Sequence, residues 1–444
     1  MTTNRRTFLK TAAAFSAAPF LLPSNVWAAE TNPNDRIVMG FIGMGKQSRH
    51  LMSSFIQDKR VQVVAVCDVD TTRREDARQR VIDFYTNRPE MGAAECAGYN
   101  DFRELIGRGD LDAVCIATPD HWHTIPILTA LEAGLDVYCE KPLTHNIQQA
   151  IDVMEAVDKH GRVLQTGSMQ RSMEEFRVAC ELVRNGAIGK ISHVECSFGP
   201  PGRPCDLPEE DMEPGLDWDM WIGPGPMRPY NSVLSPRGIH DHFPDWRSYK
   251  EYGGGMVCDW GAHHLDIAQW GLDMDASGPE KIVPPEDPAA VEGAVMHYDG
   301  DIQVIHKDGF GVHFYGAGGE VKVNRGRFEF ILDGKRVAGF VDREDGGSLE
   351  SAILFVQDEY LKDAKIKLYA SNDHIRDFLG CMESRKKPIT SEQVGGRSAI
   401  CCHLMNQAYY NHETLRWNPK RLRFALGGGK KEWLTENYRE PWNA

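Results

Sequence analysis

The sequence predicts an α/β protein: a doubly wound parallel sheet, then a second α/β domain with an open, mostly antiparallel sheet. Three observations carry this. Short apolar runs alternate with helical stretches from Arg36 to about Arg162. The first run ends in a glycine turn, Gly40-Phe41-Ile42-Gly43-Met44-Gly45. Beyond about residue 290 the pattern becomes alternating runs of the kind that pair as antiparallel strands.

The chain has 444 residues, enough for two or three domains. It opens with Arg5-Arg6, an apolar run from Thr11 to Leu22, and a small-residue exit at Val26-Trp27-Ala28. Paired arginines before a short apolar run are the layout of a twin-arginine export leader. That run is about 12 residues, where a bilayer takes roughly 20. Residues 1–28 are therefore set aside as a leader that directs the chain to the twin-arginine export machinery and a periplasmic or other extracytoplasmic location.

Residues 29–164 hold the expected strands Ile37–Ile42, Val61–Cys67, Ala113–Ala117 and Val137–Cys139. Between them lie the expected helices Lys46–Gln57, Thr71–Asn87, Tyr99–Ile106 and Thr124–Ala133. Short buried strands separated by amphipathic helices form a parallel sheet with helices on both faces. Residues 165–444 begin with a helix at Met173–Asn185 and a strand at Ile191–Phe198. A Pro/Gly/Trp-rich stretch, 199–255, follows without periodicity, as functional loops do. Alternating runs at Gly293–His297, Gln303–His306, Gly311–Tyr315, Val321–Asn324 and Arg327–Leu332 supply the second sheet. Helices return at Asn372–Ser384 and Gly395–Asn411, and the Tyr438–Trp442 tail is expected to pack on the body.

The formal net charge is −14, with no basic stripe, which argues against a nucleic-acid partner. Eleven cysteines without CxxC spacing read as buried thiols, Cys67, Cys115 and Cys139 among them, rather than a disulfide framework.

The glycine turn follows the first strand and opens a helix, the context of a dinucleotide-binding Rossmann unit. Gly43, Met44, Gly45 and Lys46 form the expected cofactor loop, with Ser48 where a third glycine is usual. Asp68 ends the second strand, 25 residues after Gly43. A carboxylate there binds ribose hydroxyls and repels a 2′-phosphate, favouring NAD over NADP, although Arg73 and Arg74 stand nearby. Thr118-Pro119-Asp120-His121-Trp122-His123 ends the third expected strand and should border the same crevice, Thr118, Pro119 and His123 towards the cofactor and Trp122 towards substrate. His121 and His123 also read as helix caps. Glu140-Lys141-Pro142 ends the fourth, with Glu140 and Lys141 expected at the cofactor and the lysine able to polarise a substrate oxygen beside the nicotinamide.

Together with Gln165-Thr166-Gly167-Ser168-Met169-Gln170-Arg171 and Asp259-Trp260-Gly261-Ala262-His263, these pieces resemble the Gfo/Idh/MocA oxidoreductases, named for glucose-fructose oxidoreductase and inositol dehydrogenase. The order matches over nearly the whole chain beyond the leader. The resemblance implies a catalytic group of Lys141, Asp259 and His263, and a small-molecule carbohydrate or polyol as substrate. On one helix, Asp259 and His263 would share a face, so Asp259 could orient His263 or bind a hydroxyl. Arg171 and His264 are expected near the substrate. No metal is expected: His240, Asp241, His242, His264 and Asp266 match no zinc spacing. The Asp217–Pro224 segment reads as a hydrophobic anchor of the long loop, or as an aromatic face for a sugar ring. In that family the outer face of the open sheet can also support homo-oligomers.

Three functions fit these residues. The first is oxidation of a secondary hydroxyl of a sugar, glycoside or cyclitol, with NAD. The second adds retained cofactor, loaded before export, and redox-neutral turnover. Either a second substrate takes the hydride back, or transient oxidation drives elimination of a glycosidic oxygen, water addition and re-reduction. The third is an NAD-retaining sugar-binding protein without catalysis.

Overall fold

The structure is a computed structural model and describes residues 36–442. The leader expected at 1–28 lies outside these residues. Six strands form a parallel sheet in the order β3-β2-β1-β4-β5-β6. They are β1 (Ile37–Ile42), β2 (Val61–Cys67), β3 (Ala97–Tyr99), β4 (Ala113–Ile116), β5 (Asp136–Cys139) and β6 (Leu164–Thr166). The helices between them are α1 (Lys46–Phe55), α2 (Thr71–Asn87), α3 (Phe102–Ile106), α4 (Thr124–Glu132) and α5 (Ile147–His160). The order reverses between β1 and β4, and ligands of such sheets bind at that switch point, outside the strands' carboxyl ends.

Local chemistry explains the helix starts. Asp70, Asp101 and Asn146 each cap a helix by accepting from a backbone N–H of the first turn. Gly161, at φ +62°, stops α5 in the left-handed conformation that favours glycine. Tyr99 ends β3 and does not start a helix; Asp101 is the true cap of α3. Strands as short as β3 and β6, three residues each, give too little periodicity to be read locally.

The second part begins with α6 (Glu174–Arg184) and β7 (Ile191–Cys196). Within the long loop lies the short helix α7 (Trp218–Ile222), and α8 (Gly255–Asp259) and α9 (Gly261–Gly271) follow it. The remaining strands are β8 (Lys281–Val283), β9 (Val295–His297), β10 (Gln303–His306), β11 (Val312–Gly316), β12 (Gly319–Asn324), β13 (Arg327–Leu332) and β14 (Lys335–Phe340). Helices α10 (Leu349–Glu359), α11 (His374–Ser384) and α12 (Glu392–Asn411) precede β15 (Leu415–Asn418) and β16 (Arg423–Phe424). The sheet order is β14-β13-β12-β11-β7-β10-β9-β8-β15-β16. Its pairs are antiparallel except β7 with β10.

Side chains from α6, α9, α10 and α12 share one buried core with this sheet. Helix α11, although late in the chain, belongs to the other core: Phe378 packs edge-on against Phe55 and Tyr138 under the parallel sheet. The long loop has its own small core, where Trp218 and Trp221 stack at 4.7 Å, the anchor reading of Asp217–Pro224. The tail packs as expected, with Trp442 edge-on to Trp122. All eleven cysteines are free thiols, and ten are buried.

Candidate active site

A cavity of about 640 Å³ opens at the carboxyl ends of the parallel strands. Its cofactor end is built by the loop after β1. Gly43 has φ +81°, and a Cβ there would lie 2.9 Å from the Thr118 backbone nitrogen. Gly43 thus lets two loops at the switch point touch. A Cβ on Gly45 would meet no protein atom within 4 Å, because Gly45 faces the cavity at the start of α1. An open glycine at a helix N-terminus is the approach a pyrophosphate needs. The two glycines should therefore fail differently. Gly43→Ala is expected to destabilise the fold by about 1–3 kcal/mol. Gly45→Ala should leave the melting temperature unchanged and weaken NAD binding by about tenfold or more. Thermal melts and NAD titrations of both variants test this.

Asp68, buried, accepts from Met44 N at 2.5 Å and Asp70 N at 2.8 Å. Burial pushes its carboxyl above the usual range, against the pull of Arg73 and these N–H donors. Both arginines near it are engaged by the protein. Arg73 donates to Pro236 O and to Ser235 Oγ, and Arg74 donates to Asp68 O at 2.8 Å and Asn100 Oδ1 at 3.1 Å. An acid with its neighbouring arginines so occupied suits the ribose hydroxyls of NAD. Lys46 lines the cavity, with Nζ 4.4 Å over the Phe243 ring. Met44 does not: its side chain is in the core and its N–H is spent on Asp68.

Thr118, Pro119 and Trp122 line the wall. Trp122 fixes its indole N–H on Met220 O and Trp221 O, so it presents ring rather than donor. His123 departs from expectation. Its ring spans Pro142 O (2.8 Å) and Thr118 O (3.1 Å), tying the loop after β4 to the segment after Lys141 instead of facing the cofactor. His121 likewise bonds Tyr252 O and Trp221 O.

At the substrate end, Lys141, Asp259 and His263 come together on the cavity. Glu140 is buried, bonded to Gln47 at 3.0 Å, and packed so closely on Gly167 that a Cβ there would collide with its carboxyl. This fixes the backbone from which Lys141 projects. Lys141 Nζ donates to Asp259 Oδ1 and, at 3.0 Å, to Asp259 O. Burial works against the Asp259 carboxylate, but Lys141 and then Arg247 outweigh it and hold the group below its ordinary range. Asp259 thus orients Lys141, and not His263 as the i, i+4 spacing suggested: both its carboxylate and its carbonyl accept from the lysine.

His263 is 5 % exposed, and its Nδ1 is buried without a hydrogen-bond partner. Burial, then the charges of Lys141 and Arg325, drive its pKa well down, so the imidazole is neutral. Two expected substrate residues lie elsewhere. His264 turns to Ser197 O at 2.5 Å, because adjacent helix residues point to different faces. Arg171, 2 % exposed, pairs with Asp266 and Asp275 inside the second part. Neither lines the cavity among the described residues.

Sequence reasoning missed Arg247, Arg325 and Gln47, all of which line it. It also missed the segment from Leu234 to Arg247, which forms a wall shared with the cofactor loop. Arg49 holds that segment through His240 O at 2.6 Å, and Arg73 holds it through Pro236 O. The one available signal was the unusual length of the 199–255 stretch.

The family profile described as the NAD-binding Rossmann fold of an oxidoreductase family matches residues 37–168. Its companion, the C-terminal alpha/beta domain of the same family, matches residues 187–444, more than half of the chain. The chain belongs to the Gfo/Idh/MocA oxidoreductase family. The first of these domains binds NAD, and the open Gly45 cradle and Asp68 fit that cofactor. Among family relatives, a glycosyl hydrolase family 109 protein of Shewanella pealeana is 27% identical over 218 residues, 45% of this chain and 46% of that protein. The chain thus matches about half the length of such curated relatives. The fold is also that of the WlbA dehydrogenase of Bordetella pertussis, solved with NADH and UDP-GlcNAcA (TM-score 0.58, 15% identity, 87% of this chain and 99% of that one). The aldose-aldose oxidoreductase of Caulobacter crescentus, solved with glycerol, gives a TM-score of 0.55 at 16% identity, over 86% and 99% of the two chains.

Proposed function

We propose that this member of the family oxidises a secondary hydroxyl of a sugar, glycoside or cyclitol. The observation that carries the reading is the meeting of Lys141, Asp259 and His263 on the cavity that also holds Gly45 and Asp68. NAD, held by the loop at Gly43–Lys46 and by Asp68, supplies the hydride acceptor. Lys141, fixed by Asp259, places its ammonium where a substrate oxygen gains negative charge. His263, neutral and with Nδ1 buried, faces the cavity through Nε2 and accepts the hydroxyl proton there. Trp122 and Met256 give that cavity apolar lining.

The pH dependence follows. A histidine base works in its neutral form and is lost as pH falls through its pKa. Since that pKa lies below the ordinary 6.5, the acid limb of kcat/KM is expected well below pH 6.5. His263→Asn should remove that limb and lower kcat by about 10²–10⁴-fold. A limb unchanged in His263→Asn would assign the base elsewhere.

A second reading, redox-neutral turnover with retained cofactor, is favoured by the Leu234–Arg247 segment across the crevice and by the glycosyl hydrolase relatives. Retention also suits export by the twin-arginine leader, which remains part of the proposal. The test is the protein purified from its exported fraction. Bound nicotinamide, full turnover without added NAD, and faster cofactor loss in Arg49→Ala support retention. Cofactor-free protein active only with added NAD would sink it.

A further inference from the structure

At the substrate end of the cavity stand three cations, Lys141, Arg247 and Arg325, and the carboxylate of Asp259 pairs with only two of them. Asp259 serves two: it accepts from Lys141 and lies 3.6 Å from the Arg247 guanidinium. Burial pushes Asp120 and Glu140 towards their protonated forms. Asp245 accepts from the Ser248 hydroxyl at 2.6 Å and, among the described residues, forms no ion pair with Arg325. Arg325 is left over. Among the described residues its guanidinium makes no hydrogen bond or ion pair, and it lies 4.7 Å over the Trp260 ring.

Its placement is built. Arg325 and Gly326 form the two-residue turn between β12 and β13, with Gly326 at φ +71°. Three bonds fix the tip: Asn324 Nδ2 to Phe310 O (2.6 Å), Arg325 N to Asn324 Oδ1 (2.8 Å) and Gly326 N to Glu175 Oε1 (3.1 Å). A tip held this firmly, on the far sheet from the cofactor loop, aims a planar guanidinium into the cavity beside Asp259. Stacking on Trp260 leaves the edge of the fork free, and that edge matches a carboxylate or phosphate bidentately.

We propose that Arg325, seconded by Arg247, recognises an anionic group on the carbohydrate, so that the substrate is an acidic sugar carrying a carboxylate or a phosphate. This rests on the reading of the cavity as a site of carbohydrate oxidation, and it adds the class of sugar.

The experiment is calorimetric titration of the NAD-loaded protein at low ionic strength. The probes are glucuronate, galacturonate and glucose 6-phosphate, each against its neutral parent sugar. At least one anionic sugar is expected to bind about tenfold or more tightly than its parent. Arg325→Gln should erase that preference with neutral-sugar affinity unchanged, and Arg325→Lys should keep part of it. Whether uronates or the phosphate show the preference identifies the group. Equal binding of parent and anionic sugars, no binding of any anionic sugar, or equal losses for both in Arg325→Gln would overturn the proposal. Nicotinamide reduction in the same samples separates the two claims. Equal oxidation of neutral and anionic sugars leaves the oxidation reading standing and removes this one. Arg325-dependent binding without any reduction does the reverse.

Discussion

Lys141→Ala is expected to lower sugar oxidation by at least about 10³-fold while NAD stays bound. The size follows from what the ammonium does in the cavity. It is the cation closest to Asp259 and is held by two bonds to that residue, so little reorganisation is needed when charge develops on a substrate oxygen. Alanine removes the donor and leaves Asp259 with the more distant Arg247, at 3.6 Å, as its ion-pair partner among the described residues. A carboxylate freed in this way would repel an alkoxide. Lys141→Arg should recover little, because a guanidinium forks and cannot occupy a site shaped for a point charge. NAD binding should persist, since Gly45 and Asp68 lie at the other end of the cavity. Bound nicotinamide is followed by fluorescence and the reaction by single-turnover absorbance. Near-normal turnover, or loss of the cofactor, would refute the assignment.

Arg171→Ala is expected to cost about 3–5 kcal/mol of stability and to leave the kcat of the surviving folded protein near normal. Arg171 donates to both oxygens of Asp266 at 2.8 Å and to Asp275 at 2.7 and 2.8 Å, and its guanidinium lies 5.0 Å over Trp270. Asp266 is fully buried and bonded also to Ser398. Removing the cation leaves that carboxylate in the core without a counter-charge, the costly half of breaking a buried pair. Denaturant melts read the loss, and adding Asp266→Asn to Arg171→Ala should recover part of it. A stable Arg171→Ala protein with a large rise in KM would return Arg171 to the substrate site.

These two residues mark what the sequence could and could not convey. Lys141 was legible because its motif ends a strand, and every strand of a parallel sheet delivers its carboxyl end to the same crevice. The bounds of β1, β2 and α2 were legible for a related reason: apolar runs and an Asp cap define them without help from distant residues. Arg171 follows a similar strand, yet its partner Asp266 is 95 positions away. Nothing near Arg171 shows that the side chain turns inward. Arg247 and Arg325 were invisible for the opposite reason. One sits in an aperiodic loop and the other at a hairpin tip, and only the tertiary fold brings them to the cavity of Lys141. Weak strands such as β8 and β15 exist because neighbours complete them, not because their own three or four residues demand it.

Helix α11 carries a consequence for how the protein is made. Phe378, Leu379 and Met382 sit in the same buried core as Phe41, Val63 and Tyr138 of the parallel sheet. The underside of the nucleotide-binding half is therefore closed by residues more than two hundred positions downstream of β6. Synthesis is vectorial, at about 5–20 residues per second. During that interval helices α1 and α2 can cover their share of that face, but the apolar patch under Phe378, Leu379 and Met382 stays open. Loading of NAD is thus expected only after nearly the whole chain has emerged, and a fragment ending at Thr166 should aggregate rather than bind the cofactor.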